Sequence, residues 1–150
     1  EGRLPGPDGE TLHVVPVSVG NPHLVTLVGD ATDEMLDRLG PFLVAHPDLA
    51  EGANVQLATV LGPARMRALI WERGVGRTSA SGTSACAVAV AAVSEGLVDV
   101  GDVTVEMDGG SLSVSVDSAY NAVLRGPVEE VLVGVLTVGW ISRLAGPEGV

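Results

Sequence analysis

At 150 residues the chain is one domain's worth of sequence, and its 46% apolar content supports a packed core and excludes a disordered or fibrous protein. Aromatics make up only 3%, so Val, Leu and Ala must build that core. A formal net charge of −11 argues against nucleic acid and anionic membrane as partners, but leaves room for a local positive site.

Residues 1–11 begin with EGRLPGPDGE, rich in Gly, Pro and charge, and read as a linker or frayed leading segment. Residues 12–150 read as one domain. Leu12 to Val19 and His23 to Val28 are strand-like, separated by the turn signal Gly20-Asn21-Pro22. Asp30 or Thr32 can cap a helix starting near Asp33, with Met35, Leu36 and Leu39 on one face. Gly40-Pro41 punctuates that helix, and Phe42 to His46 reads as a further helical turn with Pro41 at its first position. Glu51 to Asn54 is a loop.

Val55 to Leu61 and Arg65 to Trp71 read as strands around Gly62-Pro63. In the second, Arg65, Arg67, Leu69 and Trp71 alternate with Met66, Ala68 and Ile70, so both faces are apolar at its far end. A glycine-rich turn follows, and a helix is expected from Ser84 to Leu97. Its residues Ala85 to Val93 are apolar all round apart from Cys86, as in a helix surrounded by protein. Val103 to Met107, Ser111 to Asp117, Tyr120 to Leu124 and Val128 to Val138 then read as strands, with Asp108-Gly109-Gly110 as a hairpin turn. Strands wrapped around one buried helix predict an α+β domain with largely antiparallel pairing.

The single cysteine, Cys86, permits no internal disulfide and points to a reducing, cytoplasmic setting. Its place on an apolar helix reads as a small core residue. No uninterrupted run approaches the ~20 apolar residues of a membrane span. The chain starts at Glu1 without a secretory signal, and reads as a piece of something longer. His13 and His46 have no metal-ligand spacing with any Cys or His, so no metal site is expected.

The stretch Trp71 to Ala87, WERGVGRTSASGTSACA, carries most of the chemistry. A strand ends in Glu72-Arg73, and a glycine-rich turn leads into a helix start at Ser81-Gly82-Thr83. Free backbone N–H groups and the positive end of a helix dipole would converge there. Such a spot suits a small carboxylate, and the enolate-like state formed when its α-proton leaves. Taken alone, Glu72-Arg73 also reads as a surface ion pair, Asn21 and Asn54 as turn residues, and His23 as structural.

The ordered series Gly20-Asn21-Pro22-His23, Glu51-Gly52-x-Asn54-Val55, Glu72-Arg73-Gly74-x-Gly76 and Gly82-Thr83-x-Ala85-Cys86-Ala87 resembles the diaminopimelate epimerase family, specifically its C-terminal half. The resemblance covers about residues 12 to 136. It implies an α+β fold in which a largely antiparallel sheet wraps around a central buried helix. It further implies two such halves with the active site between them, and cofactor-independent inversion of an amino-acid α-carbon by one cysteine from each half. If the parent is the epimerase proper, it interconverts LL- and meso-diaminopimelate in lysine biosynthesis. Asn21, Asn54, Glu72 and Arg73 would hold the substrate's distal amino-acid end, Gly82 and Thr83 would offer amides to the reacting carboxylate, and His23 is a further candidate. The partners implied are an amino-acid substrate and either the N-terminal half or a second copy of this chain.

Two residues depart from the family pattern. Ser81 occupies the position of the catalytic cysteine, and a serine hydroxyl stays protonated near neutral pH without another base to activate it. Three explanations fit: a natural replacement with different chemistry, an engineered trap, or a weak proton donor working with a cysteine of the other half. A single-base isomerase or dehydratase, as in related phenazine-pathway and proline racemase-like groups, and a non-catalytic acid-binding or dimerisation domain are the alternatives. Arg77 stands where the family carries an acid, and is expected to add positive charge beside the site.

Overall fold

The computed structural model describes residues 2–49 and 51–144. One sheet of nine strands carries the fold. In chain order these are β1 (Gly2–Pro5), β2 (Thr11–Ser18), β3 (Pro22–Leu27), β4 (Asn54–Gly62), β5 (Arg65–Glu72), β6 (Gly76–Thr78), β7 (Gly101–Met107), β8 (Gly110–Val116) and β9 (Ala122–Arg125). Three helices join them: α1 (Asp33–Val44), α2 (Gly82–Ser94) and α3 (Val138–Leu144). The sheet runs β1-β2-β3-β4-β5-β7-β8-β9, and β6 lies against β5. Pairing is antiparallel except at β3–β4 and β5–β7. Those two parallel steps are the ones bridged by α1 and α2, because a parallel return needs a crossover and a helix supplies it.

The period-2 pattern decides which helix each strand residue meets. On β5, Met66, Ala68 and Ile70 enter the core built around α2. Leu69 and Trp71 enter a second core, built around Leu36, Leu39 and Leu43 of α1. The two helices therefore lie on opposite faces of the sheet. Helix α2 touches β2, β3, β4, β5, β7, β8 and β9, so the sheet curls around it. Its alanines 85, 87, 89, 91 and 92 are fully buried, and these small side chains let so many strands approach one helix. This is the α+β arrangement expected from the sequence. No helix among the described residues is long and apolar enough to cross a membrane.

Four local expectations are corrected. The supposed linker contains β1, paired from Gly2↔Val14 to Pro5↔Thr11, and Asp8 and Glu10 of its turn both accept hydrogen bonds from Arg38 of α1. Proline fits there because β1 is an edge strand, where a missing N–H costs little. Helix α1 runs through Gly40-Pro41 to Val44 without a second start. Asp37, whose carbonyl loses its N–H partner to Pro41, is on the solvent side, and buried Leu36, Leu39 and Leu43 hold the helix on both sides of it. Gly76–Thr78, read as turn, forms β6 with Glu72↔Gly76 as its first pair. Residues 128–138 form no strand. Val128 and Val135 are 97% and 95% exposed, and among the described residues no strand edge pairs with them.

Helix α2 starts two residues earlier than expected, with Ser81 as its N-cap, and ends before Gly96. Gly96 has φ +67°, its N–H donates to Val93 O, and Leu97 N–H donates to Ala92 O, which closes the last turn.

Candidate active site

Ser81 sits in extended backbone, and its Oγ accepts the Ser84 N–H at 3.4 Å. Ser84 N–H is one of the first-turn donors that an α-helix leaves without an internal partner. The amides of Gly82 and Thr83 belong to the same turn. Both residues line a cavity of about 600 Å³, walled by Ser81, Gly82, Thr83 and Cys86, by Ser18 at the end of β2 and Val19 after it, and by Tyr120, Asn121, Ala122 and Leu124. Gly82 is half-buried and Thr83 exposed. The helix start, with its positive dipole end, is thus part of the wall of an open concavity.

The other sequence-derived candidates assemble where β3, β4 and β5 lie side by side. His23 is paired in register with Asn54, and Val55 with Trp71, which brings the Glu72-Arg73 dipeptide to the Asn54 end of the sheet. Asn54 Oδ1 accepts the Arg73 backbone N–H at 3.0 Å, and its Nδ2 lies 3.5 Å from Pro22 O. The Arg73 guanidinium donates to the Glu51 carbonyl. Glu72 and Arg73 do not pair with each other among the described ion pairs, so the plain surface-pair reading does not hold. Asn21 Oδ1 lies 3.1 Å from His23 Nε2.

Asn21, His23, Asn54, Glu72 and Arg73 thus form one neighbourhood, and Ser81, Gly82 and Thr83 another. None of Asn21, His23, Asn54, Glu72 and Arg73 lines the cavity itself. The link between the two is Gln56, fully buried on β4, whose Nε2 lies 3.0 Å from both His23 Nδ1 and Ser84 Oγ. Sequence reasoning passed over Gln56 and Ser84. The available signal was a lone amide inside the apolar run of β4. It also passed over Tyr120 and Asn121, which the β8–β9 connection delivers to the cavity. No local pattern announces such a long-range placement, although Tyr120 has an unusual φ of +62°.

Arg77 does not act as free positive charge beside the site. Its guanidinium bonds Asp33 at the start of α1 and Asp108 in the β7–β8 turn, and the two carboxylates hold its pKa above the usual value. Cys86 is half-buried on the cavity wall, not fully within the core, and burial pushes its thiol pKa up.

The sequence profile of the diaminopimelate epimerase family matches residues 15–131. This chain belongs to that family. It is 40% identical over 132 residues to the diaminopimelate epimerase of Microcystis aeruginosa, covering 87% of this chain and 47% of that protein. It is 39% identical over 136 residues to that of Erythrobacter litoralis, covering 91% of this chain and 50% of the relative. The chain therefore spans about half the length of the curated relatives it matches. The fold is also similar to that of a Bacillus anthracis phenazine biosynthesis protein of the PhzF family, with a TM-score of 0.53 at 18% identity, over 74% of this chain and 37% of that one.

The site carries a pH prediction through His23, which is 2% exposed. Burial is the largest influence on it and lowers its pKa, while Gln56 and the Glu72 charge push the other way. An unfolded-chain histidine titrates near about 6.5. Between that value and the lower folded value, the unfolded state binds the extra proton, so this contribution to stability falls as pH falls. Urea midpoints measured from pH 7 to 5 are expected to decline, and the His23 ring resonances to titrate below free histidine. A His23 midpoint above the free value would contradict this.

Proposed function

We propose that this chain supplies one half of the active site of a cofactor-independent amino-acid epimerase acting on diaminopimelate. The observation that carries the reading is the accessible start of α2, where Gly82 and Thr83 line a cavity large enough for a small amino acid. An α-proton is very weakly acidic, and its removal requires stabilisation of charge spreading into the carboxylate. First-turn amides and the helix dipole provide that stabilisation. Asn21, Asn54, Glu72 and Arg73 then hold the distal end, with Glu72 complementary to an ammonium group and the amides and guanidinium to a carboxylate.

The base for proton removal comes from a second, N-terminal half, because another copy of this chain would bring only Ser81 and the half-buried Cys86. The exposed side chains of Tyr120 and Leu124 on the cavity wall, and the exposed apolar side chains of residues 128–136, support a covering partner. Ser81 in this scheme delivers a proton from its hydroxyl, and the alkoxide left behind takes one back from the opposite stereoisomer in the reverse reaction. Its half-buried Oγ, engaged with Ser84 N–H, favours a second reading: a single-base isomerase or dehydratase of the same fold. The lone Cys86 fits a reducing, cytoplasmic setting.

Titration of the 15N-labelled chain with meso-diaminopimelate tests the binding role. The Gly82 and Thr83 amides and the side-chain amides of Asn21 and Asn54 are expected to shift together. A titration that leaves all four unmoved removes the proposal. Deuterium incorporation at the α-carbon then separates the two readings, from both stereoisomers for the epimerase and from one for the single-base enzyme.

A further inference from the structure

We propose that Gln56 and His23 are positioning residues that fix which end of the Asn21 side chain faces the site, leaving its amino group outward as a donor for an anionic ligand group. The ligand half of this inference rests on the function proposed above. The positioning half does not.

Four side chains form one chain of contacts, Ser84–Gln56–His23–Asn21, with Asn21 half-buried at its outer end. Gln56 and Ser84 are fully buried, and His23 nearly so. The Gln56 amino group contacts His23 Nδ1 and Ser84 Oγ, each at 3.0 Å. A ring nitrogen that faces an amino group must be the acceptor, so the proton of neutral His23 sits on Nε2. Nε2–H then donates to Asn21 Oδ1 at 3.1 Å. The Asn21 carbonyl is thereby turned inward, and its NH2 is the end left for a ligand.

Turning the Gln56 amide over would reverse every step. Its oxygen would accept from Nδ1–H, Nε2 would become an acceptor, and Asn21 would present its carbonyl outward. The two polarities are distinguished by what each leaves unpaired. As it stands, Gln56 Oε1 is buried without a partner. In the reversed state the buried Gln56 NH2, with two protons, would take that unpartnered position. Orphaned donors are rarer and costlier than an under-used carbonyl, so the observed polarity is favoured. An apolar residue at position 56 would remove that orphan but leave the buried His23 Nδ1 and Ser84 Oγ without this partner. The amide joins two buried groups and sets the direction of the chain. Because Ser84 lies in the first turn of α2, the same amide also ties the helix start to the Asn21 neighbourhood.

Long-range 1H–15N imidazole spectra of the unmodified chain at pH 7 give the first test. His23 is expected to carry its proton on Nε2, with Nδ1 bare, and a Nδ1–H tautomer overturns the proposal. Two variants give the second. In Gln56→Glu the carboxylate accepts a hydrogen bond from Nδ1–H of a doubly protonated ring, so Nε2–H donation to Asn21 survives. Gln56→Leu leaves the ring free to take either tautomer. With folding verified by circular dichroism, meso-diaminopimelate affinity is expected to fall about tenfold in Gln56→Leu and to stay within about threefold in Gln56→Glu. A residue that only fills space predicts the opposite order, with leucine tolerated and buried glutamate damaging, and that order overturns the proposal. If the unmodified chain does not bind diaminopimelate, the function proposed above fails, while the His23 tautomer still decides the positioning claim.

Discussion

Ser81→Cys is expected to create a thiol that alkylates near neutral pH about tenfold faster than a free cysteine of ordinary pKa would supply through its thiolate. The reason is electrostatic. Position 81 caps α2, at the positive end of the helix dipole, and its side-chain atom already accepts the Ser84 N–H. A thiolate there gains that hydrogen bond and the dipole together, so its pKa drops by about one unit or more from ~8.5. Cys86 provides an internal control on the same cavity wall, since burial moves its thiol the other way. Iodoacetamide labelling of the variant and the parent, read by mass spectrometry, should therefore modify position 81 first and Cys86 slowly. Equal labelling of both would mean that the start of α2 does not provide the field required of it. The substitution gives up a serine cap, at a cost of about 0.5–2 kcal/mol, so urea melts should accompany the labelling. In the presence of the complementary half, the same variant is expected to raise α-proton exchange by about 10²–10⁴, the scale of a positioned general base, because the serine hydroxyl remains protonated where the thiolate does not.

How much of this was legible in the sequence depends on the range of the interaction that decides each feature. The alternation in Arg65 to Trp71 marked both faces of β5 as apolar, and the fold places a different helix on each. The all-aliphatic run after Ser84 marked α2 as enclosed, and it is. The glycine-rich punctuation before it located the helix start to within two residues. What failed was decided by partners far along the chain. Gly-Pro composition in residues 1–11 suggested a linker because nothing local indicates that β2 offers Gly2 to Pro5 a free edge. The Val-rich run 128–138 suggested a strand from propensity alone, but strands need an edge, and among the described residues none is offered. Arg77 looked like free charge until Asp33 and Asp108, 44 and 31 residues away, were found to hold it. The Gln56 amide was hidden in an apolar strand because its partners His23 and Ser84 lie 33 and 28 residues away.

Overfilling the channel around α2 is expected to have the largest effect on stability. Ala89 is fully buried on a helix enclosed by seven strands. Ala89→Leu adds three heavy atoms where the surroundings are already packed as densely as an organic crystal. Ordinary overpacking costs about 1–3 kcal/mol, and enclosure on all sides removes the usual relief of tilting toward solvent, so the upper part of that range is expected. The opposite change, Val88→Ala, removes two methyl groups from the same helix and should cost about 2 kcal/mol through lost transfer energy and a residual cavity. Ser94→Ala, at the exposed end of α2 where Oγ bonds only the Ala91 carbonyl, should stay within about 0.5 kcal/mol and serves as the control. Urea denaturation distinguishes these outcomes. Against a total stability of about 5–15 kcal/mol, Ala89→Leu should move the midpoint far and Ser94→Ala scarcely at all. The consequence extends to the site, because Ser81, Gly82 and Thr83 sit at the end of the helix that would have to shift. Ala89→Leu is therefore expected to slow labelling at position 81 in the Ser81→Cys background, under conditions where the chain is still folded. Full retention of both stability and labelling would show that α2 has room around it, and that its alanines do not fix where its amides point.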